Sequence, residues 1–173
     1  MSELPGELPS TLAGRLHDAL LAFSTCVGMA VPDICSYGLT IGESYVPFNP
    51  DPEDDCDEDD VACSQVWVRV EAVSETPGTP GGWGGDCAAT LTLDIEVGVL
   101  RCLEVPENGE APTASEMLIA STQAMSDMTD IRCAATSCSD GVWAGPVIVG
   151  PWRPLGPLGG QYGGLWTFTV EID

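Results

Sequence analysis

The side chains best suited to chemistry are eight cysteines, whose spacing favours disulfides or free buried thiols over a metal site. The shortest separations are the easiest to close, so the candidate disulfides join Cys56 to Cys63 and Cys133 to Cys138, although eight cysteines allow about 105 complete pairings. Structural zinc sites usually combine C-x-x-C pairs with histidines. This chain has no C-x-x-C pair and one histidine, His17, so we expect no metal ion and no other cofactor.

Catalytic arrangements are equally sparse in this sequence. Acyl transfer needs a nucleophile with a general base in hydrogen-bond reach, and His17, on the first predicted helix, is the one histidine that could act as that base. Some carboxylates must lie close together in a chain with 27 acidic residues, so such a pair does not by itself indicate a catalytic site. The glycine-rich stretches 78–85 and 156–164 lack the P-loop pattern and the strand-GxGxxG-helix context of phosphate-binding loops. We therefore expect the protein not to be an enzyme.

A run of acidic residues at 51–60 (DPEDDCDEDD) is a further candidate feature. Its eight carboxylates repel one another and resist burial, which predicts a solvated patch. The run lacks the central glycine and the distal glutamate of an EF-hand loop, so calcium binding is the less favoured alternative. The acidic patch comprises Asp54, Asp55, Asp57, Glu58, Asp59 and Asp60.

The overall charge is strongly negative and limits the classes of partner. The formal net charge is −22, from 27 acidic residues against five arginines and no lysine. Duplex DNA is bound by clustered lysine and arginine, so specific DNA binding is not expected. An acidic channel wall would instead let DNA pass without sticking; the alternative is that the charge only keeps the protein soluble.

No stretch approaches the roughly 20 apolar residues of a membrane helix, so we expect no membrane contact. Residues 1–10 are acidic and contain two prolines, unlike the basic start of a secretory signal.

Two helices are predicted from the spacing of apolar residues. Ser10 or Thr11 can cap the first, in which leucines and Phe23 recur at helical spacing. The residues from Thr113 to Glu116 match a capping box. They precede a stripe of methionine and alanine that predicts a second helix of about 20 residues. Methionines on such a stripe usually fill a core.

Apolar and polar residues alternate in several segments, which predicts strands. The segments 65–73 and 89–103 are expected to pair antiparallel across the proline- and glycine-rich loop 74–85. A short strand is expected at 145–150 and a final strand at 165–173. Together the elements predict one α+β domain over 1–173, with two helices packed on an antiparallel sheet.

In two segments, apolar residues show no regular spacing of the kind that predicts a helix or a strand. Residues 28–64 predict an extended arm and acidic loop, with a short strand at 44–48, and residues 150–164 predict an irregular insertion loop in the final hairpin. Apolar side chains in these segments either contact another protein or fold over their own sheet. The candidate assembly interface comprises Tyr45, Phe48, Trp83, Trp152, Arg153, Leu155, Leu158 and Tyr162.

Four segments carry a resemblance to a known family: CSQVWVRV, LTLDIEVGVLRCLEV, APTASEMLIASTQAMSDM and GPWRPLGPLGGQYGGLWTFTVEI. In this succession the chain resembles the neck and tail-terminator proteins of long-tailed bacteriophages of high-GC hosts. The most specific element is W-x-P-L-G-P-x-G-G-x-x-G-G-x-W-T-F-T-V at 152–170. The acidic run and the cysteines have no counterpart in the family pattern.

The resemblance implies a structural subunit at the top of the virion tail, made in the host cytoplasm. Such subunits commonly form a hexameric ring on the last ring of the major tail protein, stop tube growth and offer a docking face to head-tail connector proteins. DNA would pass through as cargo, with 51–60 facing the lumen or solvent. A head-tail connector or stopper is the closest alternative, and a disulfide-rich stand-alone binding module is the alternative from another class.

Overall fold

The computed structural model describes residues 12–41, 64–76, 90–103, 111–143, 145–158 and 160–172. In chain order, the helices and strands are α1 (Leu12–Ala30), β1 (Ser36–Ile41), β2 (Ser64–Thr76), β3 (Thr90–Cys102), α2 (Ala114–Cys138), β4 (Ile148–Leu158) and β5 (Gln161–Ile172). The predicted α+β class is confirmed. The two helices pack on one face of a largely antiparallel sheet and do not alternate with parallel strands.

The described strands form one sheet in the order β1-β2-β3-β5-β4. From β2 to β4 the neighbours are antiparallel, as predicted, with Val68 opposite Val97 and Ile95 opposite Phe168. β1 instead runs parallel to β2, so the prediction of a wholly antiparallel sheet is wrong. Parallel neighbours need a connection of about a dozen residues or more, and residues 42–63 supply that length.

β1 lies inside the segment that was predicted as an irregular arm. Residues 28–30 also belong to α1, so the first part of that prediction is wrong. The strand is short, and its place is decided by packing: a Cβ atom on Gly28 of α1 would come within 2.2 Å of the Tyr37 ring. This close approach of helix and strand is a tertiary contact that local periodicity does not reveal. The strand predicted at 44–48 lies outside the described residues.

The prediction of an irregular loop at 150–164 is also wrong, because most of it belongs to β4 and β5. Proline cannot donate a hydrogen bond within a sheet and is tolerated at edge strands and bulges. β4 is an edge strand, and its register shifts between Val149 and Trp152 and again between Leu155 and Leu158. The prolines at 151, 154 and 157 therefore fit into a strand.

The core lies between one face of the sheet and the two helices. β2 presents Val66, Val68 and Val70 to this face, as its alternation predicts. Other buried apolar side chains of this core are Leu20, Phe23, Val27, Leu93, Ile95, Val97, Val99, Ile131, Phe168 and Val170. Burying one such side chain contributes about 1.5–3 kcal/mol relative to leaving it exposed, so this face supplies most of the hydrophobic stabilisation.

The opposite face of the sheet carries a row of polar residues across the strands. Arg69 of β2 lies opposite Glu96 of β3, which in turn lies opposite Thr167 of β5. Glu96 Oε2 accepts a hydrogen bond from Arg69 Nη2 at 2.7 Å and another from Arg153 Nη2 at 3.4 Å. Glu96 is 2% exposed, and a buried carboxylate requires such cationic partners.

Candidate functional site

The predicted capping box is confirmed at the start of α2, the helix that forms one wall of the candidate site. Thr113 Oγ1 accepts a hydrogen bond from Glu116 N at 3.3 Å, and Thr113 N donates to Glu116 Oε2 at 2.6 Å. The hydrogen bond from the Thr113 backbone, followed by that from its side chain, lowers the pKa of the Glu116 carboxyl. α2 extends over 25 residues, longer than predicted.

A buried ion pair holds α2 against the sheet. Arg101 of β3 donates from Nη2 to Asp127 Oδ1 at 2.7 Å and from Nε to Asp127 Oδ2 at 3.1 Å. The same guanidinium donates to the carbonyl oxygens of Pro32 at 3.1 Å and Asp33 at 2.6 Å. Arg101 therefore links α2, β3 and the turn after α1, which sets the position of α2 relative to the sheet.

An open apolar groove of about 360 Å³ separates the N-terminal half of α2 from the β4–β5 hairpin. On the α2 side it is lined by Met117, Ala120, Ser121, Ala124, Met125 and Met128. On the hairpin side and the adjoining end of β3 it is lined by Trp152, Pro154, Leu155, Gly156, Tyr162, Gly163 and Leu103. Among the described residues, none of these lining side chains is charged. We call this surface the α2–hairpin groove.

Tyr162 lies beside the ion pair at the edge of the groove. It pairs with Arg101 across β3 and β5. Burial of the phenol raises the pKa of Tyr162, and the nearby Asp127 carboxylate raises it further. Tyr162 therefore keeps its proton at neutral pH, and its hydroxyl can donate a hydrogen bond to a group that enters the groove.

The outer side of α2 is more apolar than a surface helix requires. Leu118, Ile119 and Met125 are 68%, 67% and 65% exposed. The prediction that the methionines fill a core is wrong, because Met117, Met125 and Met128 all line the groove. The reason is that α2 packs most closely through its C-terminal half, where Ile131 and Ala135 are fully buried.

Several predicted interface residues do meet at the groove. Trp152, Leu155 and Tyr162 line it together, with the Trp152 indole lying over Gly164. Arg153 lies elsewhere, since it is bonded to Glu96 and Thr167 of the polar row. Leu158 ends β4 and pairs with Gln161. The predicted residues outside the described part of the chain are Tyr45, Phe48 and Trp83.

Cysteine pairing differs from the prediction. Cys138 is bonded to Cys26 of α1, with a Cα–Cα distance of 5.8 Å, and Cys133 is an exposed free thiol. The pairing of Cys133 with Cys138 is wrong because both lie in α2, where residues five apart point to different sides of the helix. Cys35 and Cys102 are also disulfide-bonded. Cys56, Cys63 and the acidic patch at 54–60 lie outside the described residues.

The groove methionines were missed as site residues because helical spacing alone does not separate an inward stripe from a groove wall. One sequence signal was available: Leu118 and Ile119 make the apolar surface of α2 wider than the stripe that packs against the core. The excess indicates apolar surface outside the core.

Two kinds of site were not found within the described ranges. No group of three or more histidine, cysteine, aspartate or glutamate side chains there could hold a metal ion. The helices of those ranges are too short or too polar to cross a membrane. Neither the models of known protein families nor the curated protein sequences contain a match to this chain.

Proposed function

We propose that this protein is a structural subunit of a bacteriophage virion: a tail terminator at the neck that caps the tail tube. It ends polymerisation of the major tail protein and provides the docking face for the head connector. The observation that carries the proposal is the α2–hairpin groove, whose described lining carries no charge and includes the exposed Met125, with the exposed Leu118 beside it on α2. Apolar surface of this kind marks a protein interface.

The net charge of the chain supports the proposal that this surface is buried when copies assemble. Chains with a net charge of −22 repel one another, and this repulsion weakens as salt screens it. Association is therefore favoured at surfaces with few acidic side chains, such as the groove, whose described lining residues include none. Six copies in a ring would carry about −130, and any part of this charge that faces the lumen would ease the passage of DNA.

The first experiment is light scattering of the purified protein at several protein and salt concentrations, with and without the major tail protein. We expect discrete rings, favoured at higher salt, and tail tubes that are shorter when the protein is present during polymerisation. Electron microscopy measures the tube lengths.

Two matched variants connect this result to the groove. Met125→Glu places a charge in the groove wall, whereas Val73→Glu makes the same change at a half-exposed apolar residue of β2. We expect Met125→Glu to lose rings and capping and Val73→Glu to keep both. A wild-type chain that stays monomeric and leaves tube length unchanged would contradict the proposal. Binding to connector proteins without capping would favour the connector instead.

A further inference from the structure

The two sulfurs of the Cys26–Cys138 disulfide lie in different surroundings. Cys26 is an exposed residue of α1, where it lines an open depression of about 630 Å³ beside Thr25 and Met29. Cys138 ends α2, is 6% exposed and belongs to the apolar core. A small molecule in solution can therefore reach the bond at Cys26 and not at Cys138.

Non-covalent contacts hold the same two helices together. Phe23 and Val27 of α1 are buried in the core, and the Phe23 ring contacts the ring of Trp143, which follows α2, with the centroids 5.6 Å apart. Arg101 separately links α2 to the turn after α1. Apolar burial is the main source of folding stability, so the disulfide joins helices that other contacts already hold in place.

We propose that the Cys26–Cys138 bond is a redox latch, which small thiols open and small disulfides close through Cys26 while the chain stays folded. The latch does not depend on the proposed function. A chain folded in a reducing compartment would hold it open, and an oxidising medium, in which disulfides persist, would close it. Closing stabilises the fold by restricting the unfolded chain.

Opening the latch takes two exchange steps. A small thiolate attacks the Cys26 sulfur, forms a mixed disulfide with it and expels Cys138 as a thiolate, which takes up a proton. A second small thiolate attacks the small-molecule sulfur of the mixed disulfide and expels the Cys26 thiolate. One protein disulfide and two small thiols thus become two protein thiols and one small disulfide, and closing is the reverse.

Charge and burial determine which reagent suits the latch. The chain has a net charge of −22, and Asp18 lines the depression that contains Cys26, so an uncharged reagent should react faster than the anionic glutathione. The expelled Cys138 thiolate lies in the apolar core, where an unpaired charge is costly. The folded chain should therefore exchange slowly.

The first test treats the folded wild-type chain with increasing 2-mercaptoethanol, alkylates its thiols with iodoacetamide and locates the modified cysteines by peptide mass spectrometry. We expect Cys26 and Cys138 to become alkylated together while the circular dichroism spectrum and the sedimentation coefficient stay unchanged. They should pair again when 2-hydroxyethyl disulfide replaces the thiol. The exposed Cys133 should be alkylated without any reduction.

Alkylation of Cys26 and Cys138 only at thiol concentrations that unfold the chain would overturn the latch. A bond that stays closed in the folded chain at every thiol concentration would overturn it as well.

Two variants in a Cys133→Ser background test where exchange enters. With 2-hydroxyethyl disulfide, Cys138→Ser should form the mixed disulfide at Cys26 at least about tenfold faster than Cys26→Ser forms one at Cys138, because exchange depends on access to the sulfur. Circular dichroism verifies that both are folded, and equal rates in folded variants would overturn entry at Cys26. If either variant fails to fold, acid quenching of the partly reduced wild-type chain decides, since the trapped mixed disulfide should then be at Cys26 and not at Cys138.

Discussion

At the residue scale, Arg101 shows how one buried cation organises several parts of the chain. Its guanidinium meets the Asp127 carboxylate in a bidentate pair and also donates to the carbonyls of Pro32 and Asp33. Asp127 additionally accepts a hydrogen bond from Gln123 Nε2 at 3.1 Å. Desolvating both charges is costly, so the pair serves mainly to position α2 and, with it, one wall of the groove.

We expect Asp127→Asn to destabilise the protein by about 3 kcal/mol, because it leaves the Arg101 charge buried without its counter-ion. Urea unfolding measures the change in the free energy of unfolding. Asp140→Asn is the control, since Asp140 is exposed in the turn after α2 and its substitution should cost no more than about 0.5 kcal/mol. Equal losses in the two variants would show that the pair does not hold α2.

At the element scale, the start of α2 depends on the reciprocal hydrogen bonds of the capping box. Four backbone N–H groups at a helix start have no partner within the helix. Thr113 and Glu116 satisfy two donors at this end. The groove begins at Met117, one residue later, so fraying of this turn would also distort the groove.

We expect Thr113→Ala to cost about 1 kcal/mol of stability at neutral pH, the usual effect of losing an N-cap side chain. The pKa of Glu116 is lowered by its bonds to Thr113, so the contribution of the carboxylate is complete above about pH 4.3, the ordinary pKa of glutamate. It is lost as the pH falls through the lowered pKa of the folded state.

Thr113→Ala keeps the backbone N–H that binds the Glu116 carboxylate, so Glu116→Gln is the variant that tests the carboxylate. The difference in stability between the wild-type chain and Glu116→Gln should shrink in acid, which thermal unfolding at several pH values measures. Ser121→Ala, on the exposed side of the same helix, is the control and should show no such pH dependence. A difference that stays constant down to the acid limit of the folded state would mean that the carboxylate adds nothing to the cap.

At the scale of the whole molecule, the Cys26–Cys138 disulfide ties the two helices together across a sequence separation of 112 residues. A crosslink between distant residues lowers the entropy of the unfolded chain. It also fixes the C-terminal part of α1 relative to the end of α2. Reduction should therefore lower the free energy of unfolding and loosen the packing of α1 on α2.

We expect the double variant Cys26→Ser/Cys138→Ser to lose about 2–4 kcal/mol of stability, measured by urea unfolding under oxidising conditions. Cys133→Ser removes the exposed free thiol of the same helix and should leave stability unchanged. A comparable loss in Cys133→Ser would mean that the loss in the double variant does not report the crosslink between the two helices.

The sequence by itself determined those features that depend on neighbours along the chain. Apolar spacing on α1 and α2, the capping box at Thr113, and strict alternation in β2, β3 and β5 are all local. Each of these elements overlaps the segment in which it was predicted, although α1, α2, β2 and β5 extend beyond it. The overlap arises because hydrogen bonds and side-chain direction within an element follow from residues a few positions apart. The acidic composition likewise follows from the sequence alone.

Only the tertiary structure decided the features that depend on distant residues. β1 joins the sheet through packing of Tyr37 against α1, and β4 tolerates its prolines because it lies at an edge. Cys138 pairs with Cys26 because the fold brings α1 to the end of α2. The α2–hairpin groove arises because a helix and a hairpin far apart in sequence meet along only part of their lengths, a relation that no local pattern records.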